Sequence, residues 1–252
     1  MKIVGYSERG AMNALFYGMA LKDEGDSQMR VFLKLAGIKD SDSFSEFVIY
    51  NEFSLSEFGE PDLVIIAKRE DKYPVVFFLE AKVSEGTIFC LNNKMENHIN
   101  DLLEYQKTKC HKNGDASNLF FQLRLKHYFF QQRKTIIEPI GSLNGKSIGE
   151  NECIEKTKDR NGEIRLRKLG ENPIVIKFAK QIENCVDAYY IAIIPEKEKD
   201  PNYPNDFPLT LKINYVSWED IYKSELGDLL KDTFDFNKVG NISQILNKQK
   251  KK

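Results

Sequence analysis

The chain has 252 residues, of which 41% are hydrophobic and 30% are charged, so it is too apolar for a disordered protein and long enough for one or two domains. Its 15 Gly and 8 Pro residues are too few for a fibrous protein. Because 37 Lys and Arg residues nearly balance 38 Asp and Glu residues, the net charge of -1 excludes binding of nucleic acid through total charge, and any such partner requires a local basic surface.

Two helices and three strands are predicted in the first 83 residues. Ser7 is a suitable N-cap for the first helix, and apolar residues recur at helical spacing until the turn at 23–26. The second helix ends at Gly37, since glycine readily adopts the left-handed conformation that follows many helices. The three strand segments are 47–53, 62–67 and 74–83, with a charged turn between the last two.

The second half of the chain is predicted to extend this α/β domain. Two helices are expected at 93–109 and 117–133. Segment 138–172 is rich in Gly, Asn and charged residues, which indicates an exposed insertion such as a hairpin arm. Further strands are predicted at 174–178, 188–194 and 209–216, followed by a short helix after Trp218 and a lysine-rich tail at 248–252. We interpret the whole chain as a single domain.

Cysteine use and hydropathy indicate the compartment. The four cysteines are far apart in sequence and form no C-x-x-C pair, so neither a disulfide framework nor a structural zinc site is expected. No apolar run reaches the roughly 18 residues that a membrane span requires. We therefore expect a cytoplasmic protein without a membrane partner.

The informative residues lie at the ends of two predicted strands. Pro61-Asp62 precedes one apolar strand, and the next strand changes abruptly from apolar residues to Glu80-Ala81-Lys82. Side chains alternate along a strand, so Glu80 and Lys82 are expected on the same face. If the two strands form a hairpin, Asp62 lies near Glu80. Two carboxylates and one ammonium group then meet.

This combination suits a hard divalent cation. Mg²⁺ prefers oxygen ligands and is often held by one or two carboxylates together with water and phosphate oxygens. Such a metal lowers the pKa of a bound water and neutralises charge on a reacting phosphate, while a lysine orients or deprotonates the water. The residues therefore predict phosphodiester hydrolysis at Asp62, Glu80 and Lys82.

The motif resembles that of the PD-(D/E)xK nuclease superfamily, and the resemblance covers roughly residues 7–133. It implies a restriction-endonuclease-like α/β fold, in which helices flank a mixed central sheet. It also implies that Asp62, Glu80 and the Ala81 carbonyl hold the metal and that Lys82 serves the water. Many members add an acidic residue from the first helix, and here Glu8 is the candidate.

Three further residues on the predicted helix 117–133 are candidates for nucleic-acid binding. Gln122 and Lys126 are four residues apart and share one helix face. This face is expected to contact the active site or a DNA phosphate; the alternative is that it is an ordinary solvent-exposed helix face. Arg124 and Lys126 belong to a basic run that is the best local candidate for a DNA-binding surface. Glu8 has its own alternative, namely a first-turn acid that interacts favourably with the helix dipole.

The function implied is that of a Mg²⁺-dependent DNA endonuclease, with Mn²⁺ as a substitute, in restriction, phage defence or repair. The resemblance is compatible with a homodimer or with companion proteins of a defence system. One alternative is a catalytically silent DNA-binding module with the same fold. Another is a structural domain in which Asp62 caps a turn and the E-A-K sequence is an ordinary strand end, since Glu70-Asp71-Lys72 also matches (D/E)xK, in a polar turn.

Overall fold

The computed structural model describes nine parts of the chain: residues 8–51, 54–69, 72–82, 119–138, 154–158, 164–168, 170, 172–194 and 211–236. Three sequence predictions lie outside these residues, namely the N-cap at Ser7, the helix at 93–109 and the lysine-rich tail at 248–252. The predicted insertion at 138–172 lies only partly within the described residues.

The described residues contain six α-helices and seven strands. The helices are α1 (Glu8–Ala20), α2 (Gly25–Leu35), α3 (Leu119–Ile137), α4 (Pro173–Gln181), α5 (Trp218–Lys223) and α6 (Gly227–Phe236). The strands are β1 (Phe44–Asn51), β2 (Leu63–Arg69), β3 (Lys72–Ala81), β4 (Ile154–Lys158), β5 (Ile164–Lys168), β6 (Asp187–Ile194) and β7 (Ile213–Ser217). None of these six helices is long and apolar enough to cross a membrane.

Five strands form a mixed sheet in the order β1-β2-β3-β6-β7. β1, β2 and β3 pair antiparallel as a meander, while β6 pairs parallel with both β3 and β7. The predicted α/β architecture, a mixed central sheet flanked by helices, is confirmed. β3 and β6 lie inside the sheet and are covered by helices on both faces. Both strands are therefore almost continuously apolar, because neither face is in contact with water.

A hydrophobic core lies on each face of the sheet. Alternate residues of β2 divide between the two cores, so Leu63 and Ile65 face one and Val64 faces the other. The first core, called here the α1 layer, is completed by α1, α2, α5 and α6. The second, called here the α3 layer, is completed by α3 and α4. The sheet end at Ala81 is thus reached by side chains from both layers.

Two predictions for the second half of the chain need correction, and one holds. Segment 174–178 was predicted as a strand and this is wrong, because Asn172 caps a helix there, Pro173 occupies its first turn, and Val175, Phe178 and Ala179 bury one helical face. A second helix, α6, follows the short helix after Trp218. The insertion does contain a hairpin, in which β4 and β5 pair antiparallel in a separate two-stranded sheet.

Candidate active site

The hairpin register brings the two predicted metal-binding carboxylates to one end of the sheet. The last pair of β2 and β3 is Leu63 with Leu79, and the next positions along each strand are Asp62 and Glu80. Asp62 Oδ2 accepts a hydrogen bond of 2.7 Å from the backbone N–H of Ala81. The β2–β3 ladder ends here, and the Asp62 carboxylate accepts the Ala81 N–H in place of a main-chain carbonyl. This hydrogen bond holds Asp62 beside Glu80.

Glu80 is a buried acid, with only 3% of its surface exposed. Its Oε1 lies 3.0 Å from Lys126 Nζ, so the two side chains form a buried ion pair. Burial raises the pKa of Glu80 to about 7; Lys126 opposes this rise and Asp62 adds to it. The sheet end therefore holds a carboxylate whose negative charge is only partly compensated.

Lys126 reaches Glu80 from α3 and is completely buried. Its ammonium group also donates to Gln122 Oε1, one helical turn earlier. Burial lowers the pKa of Lys126, against the attraction of Glu80. Gly59 lets the loop before β2 pass close to this pair: its φ is +79°, and a Cβ there would lie 2.8 Å from Lys126 Nζ.

The prediction that Lys126 belongs to an exposed basic surface is wrong. A fully buried ammonium group cannot bind a DNA phosphate, so the structure favours the other interpretation of this face, in which Gln122 and Lys126 point towards the site. Arg133, from the same basic run, donates to the backbone carbonyls of Phe130, Ile182 and Cys185 and so contributes to packing. Arg124 remains partly exposed.

Lys82 pairs with Glu8 of α1, with 3.0 Å between Nζ and Oε1. Burial alone would lower the pKa of Lys82, but Glu8, assisted by Asp62 and Glu80, outweighs it and the pKa is raised. The charged groups of Glu80 and Lys82 therefore contact opposite layers and do not share one face as expected. Lys82 is the first residue after β3, and its ammonium group still interacts with Asp62 and Glu80.

The backbone of Lys82 is held independently of its side chain. Its N–H donates to Ile193 O at 2.8 Å, and its carbonyl accepts from Trp218 Nε1 at 3.1 Å. Sequence reasoning missed Trp218 in this role and missed Gly59 as well. The chain has one Trp, directly after a strand, and Gly59 lies three residues before Asp62, but neither signal identifies a contact partner.

Six charged groups thus interact at one sheet end: four carboxylates (Glu8, Glu60, Asp62, Glu80) and two ammonium groups (Lys82, Lys126). With all six ionised the net charge is -2, which favours a cation. Within the described ranges no three His, Cys, Asp or Glu side chains are grouped so as to hold a metal by themselves. Because Glu8 is paired with Lys82, the strand end offers two carboxylates, Asp62 and Glu80, and this fits Mg²⁺ completed by water better than a closed protein cage.

Comparisons with protein-family models, with curated proteins and with solved structures found no match to this chain.

Proposed function

We propose that the chain is a Mg²⁺-dependent DNA endonuclease of the PD-(D/E)xK type. The observation that carries this proposal is the meeting of Asp62 and Glu80 at one strand end, with the Lys82 ammonium group beside both of them. Two neighbouring carboxylates repel each other, as the effect of Asp62 on the pKa of Glu80 indicates, and a divalent cation bound between them would remove that repulsion. The restriction-endonuclease-like fold and a role in restriction, phage defence or repair are part of the same proposal.

The oxygen donors of this strand end would hold Mg²⁺ or Mn²⁺. Asp62 and Glu80 supply carboxylate oxygens, and the Ala81 carbonyl is the third ligand that the family resemblance implies. When bound, the metal lowers the pKa of a water molecule and neutralises charge that develops on the phosphate. The protein keeps both carboxylates in place through the β2–β3 register and through Ala81 N–H.

Lys82 acts in this proposal as a proton donor in hydrogen bonds and not as a base. Because its pKa is raised, it remains an ammonium group at neutral pH, and it can orient a water molecule or a phosphate oxygen. Glu8 is a positioning residue, since its carboxylate pairs with the Lys82 ammonium group. Lys126 balances part of the charge of Glu80 from the other layer.

A DNA-binding module without turnover is the second candidate. The specific observation in its favour is that Lys126 already gives Glu80 a positive partner, so the charged cluster can persist without metal. The two candidates differ in one testable respect. An enzyme requires a divalent cation for turnover, whereas a silent module binds DNA equally with and without one.

The activity test uses supercoiled plasmid and the purified full-length protein. We expect nicking or cutting with Mg²⁺ or Mn²⁺ and none in EDTA, because the attacking water needs a metal to ionise at neutral pH. Ca²⁺ is expected to bind without supporting turnover. DNA binding without cleavage in all four conditions would instead establish the silent module.

A second prediction concerns stability and needs no substrate. Asp62→Asn keeps an oxygen that can accept from Ala81 N–H but removes a negative ligand. In EDTA we expect nearly equal melting temperatures, because the repulsion that Asp62 exerts on Glu80 is offset by its attraction to Lys82 and Lys126. With Mn²⁺ at about 100 times its Kd, the wild type should gain about 2.7 kcal/mol.

The variant should gain far less under the same conditions, because the lost ligand weakens metal binding. Thermal unfolding monitored by circular dichroism, with and without Mn²⁺, measures both differences. If Asp62 only caps the strand end, asparagine serves equally and Mn²⁺ will shift the two proteins by the same amount. That outcome would refute the metal role of Asp62.

A further inference from the structure

The hairpin formed by β4 and β5, called here the basic ribbon, is a two-stranded sheet of its own. Its strands are hydrogen-bonded to each other and to no strand of the five-stranded sheet in the described residues. A two-stranded ribbon alone is marginally stable in water, so a bound partner would stabilise it. Its composition indicates what that partner is.

Every cross-strand pair of the ribbon contains one basic residue. The pairs are Ile154 with Lys168, Glu155 with Arg167, Lys156 with Leu166, Thr157 with Arg165 and Lys158 with Ile164. No two basic residues are directly opposite each other, which avoids repulsion across the ladder. By this register and the alternation of strands, basic residues occupy positions along the whole length of the ribbon and on both of its faces.

This charge is local and contrasts with the rest of the chain. The two strands contain five basic residues and one acidic residue, and segment 154–168 as a whole contains six basic and three acidic residues. The segment is thus +3 within a chain of net charge -1, which leaves -4 for all other residues. An anionic partner will therefore be attracted more strongly to the ribbon than to the rest of the chain.

We propose that the basic ribbon binds duplex DNA, with its two strands in the major groove. The groove is about 12 Å wide and admits a two-stranded ribbon, and evenly spread Lys and Arg residues suit two rows of phosphates. This inference rests on the proposed function, because it names the surface that holds the nuclease substrate. It also replaces Lys126 as a DNA contact, because that lysine is buried.

The test measures binding separately from cleavage. Fluorescence anisotropy with a labelled 25-base-pair duplex in EDTA gives the affinity of the full-length protein over a series of salt concentrations. We expect Arg165→Gln/Arg167→Gln to weaken binding about tenfold at 0.1 M salt and to reduce the salt slope by about two units, one for each lost phosphate contact. A matched control is Lys34→Gln/Lys39→Gln, which removes the same charge from exposed positions at the end of α2 and beyond it.

The outcomes separate the ribbon from the active site. If the ribbon variant binds DNA as the control does, or if the wild type does not bind DNA at all, the ribbon proposal is wrong. Tighter binding of single-stranded DNA or RNA, lost in the same variant, would overturn the assignment to a duplex. If the ribbon variant cleaves plasmid and binds DNA with unchanged affinity, DNA binding by the ribbon is refuted and the nuclease activity stands. If the wild type binds DNA through the ribbon but cleaves nothing, the nuclease activity is refuted and DNA binding by the ribbon stands.

Discussion

Replacing Lys126 by Met should destabilise the protein by about 3–5 kcal/mol at pH 8 in EDTA, as is usual when one partner of a buried ion pair is removed. Met fills nearly the same volume as the lysine stem, so the decrease in the free energy of unfolding reflects the missing charge and not a cavity. Glu80 then stays buried without its nearest cation, with Lys82 as its remaining positive neighbour, and it must either carry an uncompensated charge or take up a proton that the unfolded chain lacks. Equilibrium urea unfolding measures the difference from the wild type.

The loss should depend on pH in a defined direction. Glu80 is an acid whose folded-state pKa, about 7, lies above its ordinary value of 4.5, so its favourable contribution exists at low pH and disappears as pH rises through this interval. Removing Lys126 raises that pKa further, because an attraction to the ionised form is lost. The deficit of the variant should therefore be smaller at pH 5 than at pH 8.

Two further variants complete this experiment. Lys126→Met/Glu80→Gln removes both charges and should recover most of the wild-type stability, since a neutral pair of similar volume often replaces a buried ion pair without loss. Lys134→Met changes an exposed residue on the same helix and should unfold as the wild type does. A Lys126→Met variant as stable as the wild type, or equally weakened at pH 5 and pH 8, would show that Lys126 does not compensate Glu80.

Lys82→Ala is expected to reduce plasmid cleavage by about 10²–10³-fold, the usual loss when one positioned hydrogen-bond donor is removed from an active site. The fold should survive, because the backbone of Lys82 is held by Ile193 and Trp218 whatever the side chain. Rates of plasmid nicking at saturating Mn²⁺ measure the effect, with circular dichroism as the check on folding. Glu80→Ala should abolish cleavage for a different reason, the loss of a metal ligand.

A matched control for this experiment is Lys68→Ala. Lys68 is an exposed lysine of β2 that pairs with Glu46 on the neighbouring strand. This variant removes the same charge from the same sheet and should cut at the wild-type rate. Wild-type cleavage by the Lys82→Ala variant would exclude Lys82 from the chemistry.

Much of the fold followed from local patterns in the sequence. The meander was predictable because β1, β2 and β3 are short apolar runs separated by turn residues, and Gly37 ends the second helix with φ of +76° as expected. The exception was α4, where four apolar residues in five resemble a buried strand. The Asn172 cap and the following Pro173 were the better signals.

The candidate site was predictable only where its residues are close along the chain. Asp62 and Glu80 lie on adjacent strands of one hairpin, so alternation and register were enough to place them together. Lys126 approaches from α3 and Trp218 from the end of β7, and these contacts depend on how the layers pack. Helical periodicity placed Gln122 and Lys126 on one face but could not show that this face is buried against Glu80.

The central claim, that Asp62 and Glu80 share a divalent cation, is tested most directly by locating Mn²⁺ in a crystal of the full-length protein from its anomalous scattering. We predict one strong peak at the end of β3, between about 2.0 and 2.5 Å from a carboxylate oxygen of each residue. The same peak should be absent from crystals of the Asp62→Asn/Glu80→Gln variant. The account would be contradicted if crystals soaked at a Mn²⁺ concentration that supports cleavage showed no peak at this position, or showed the metal elsewhere.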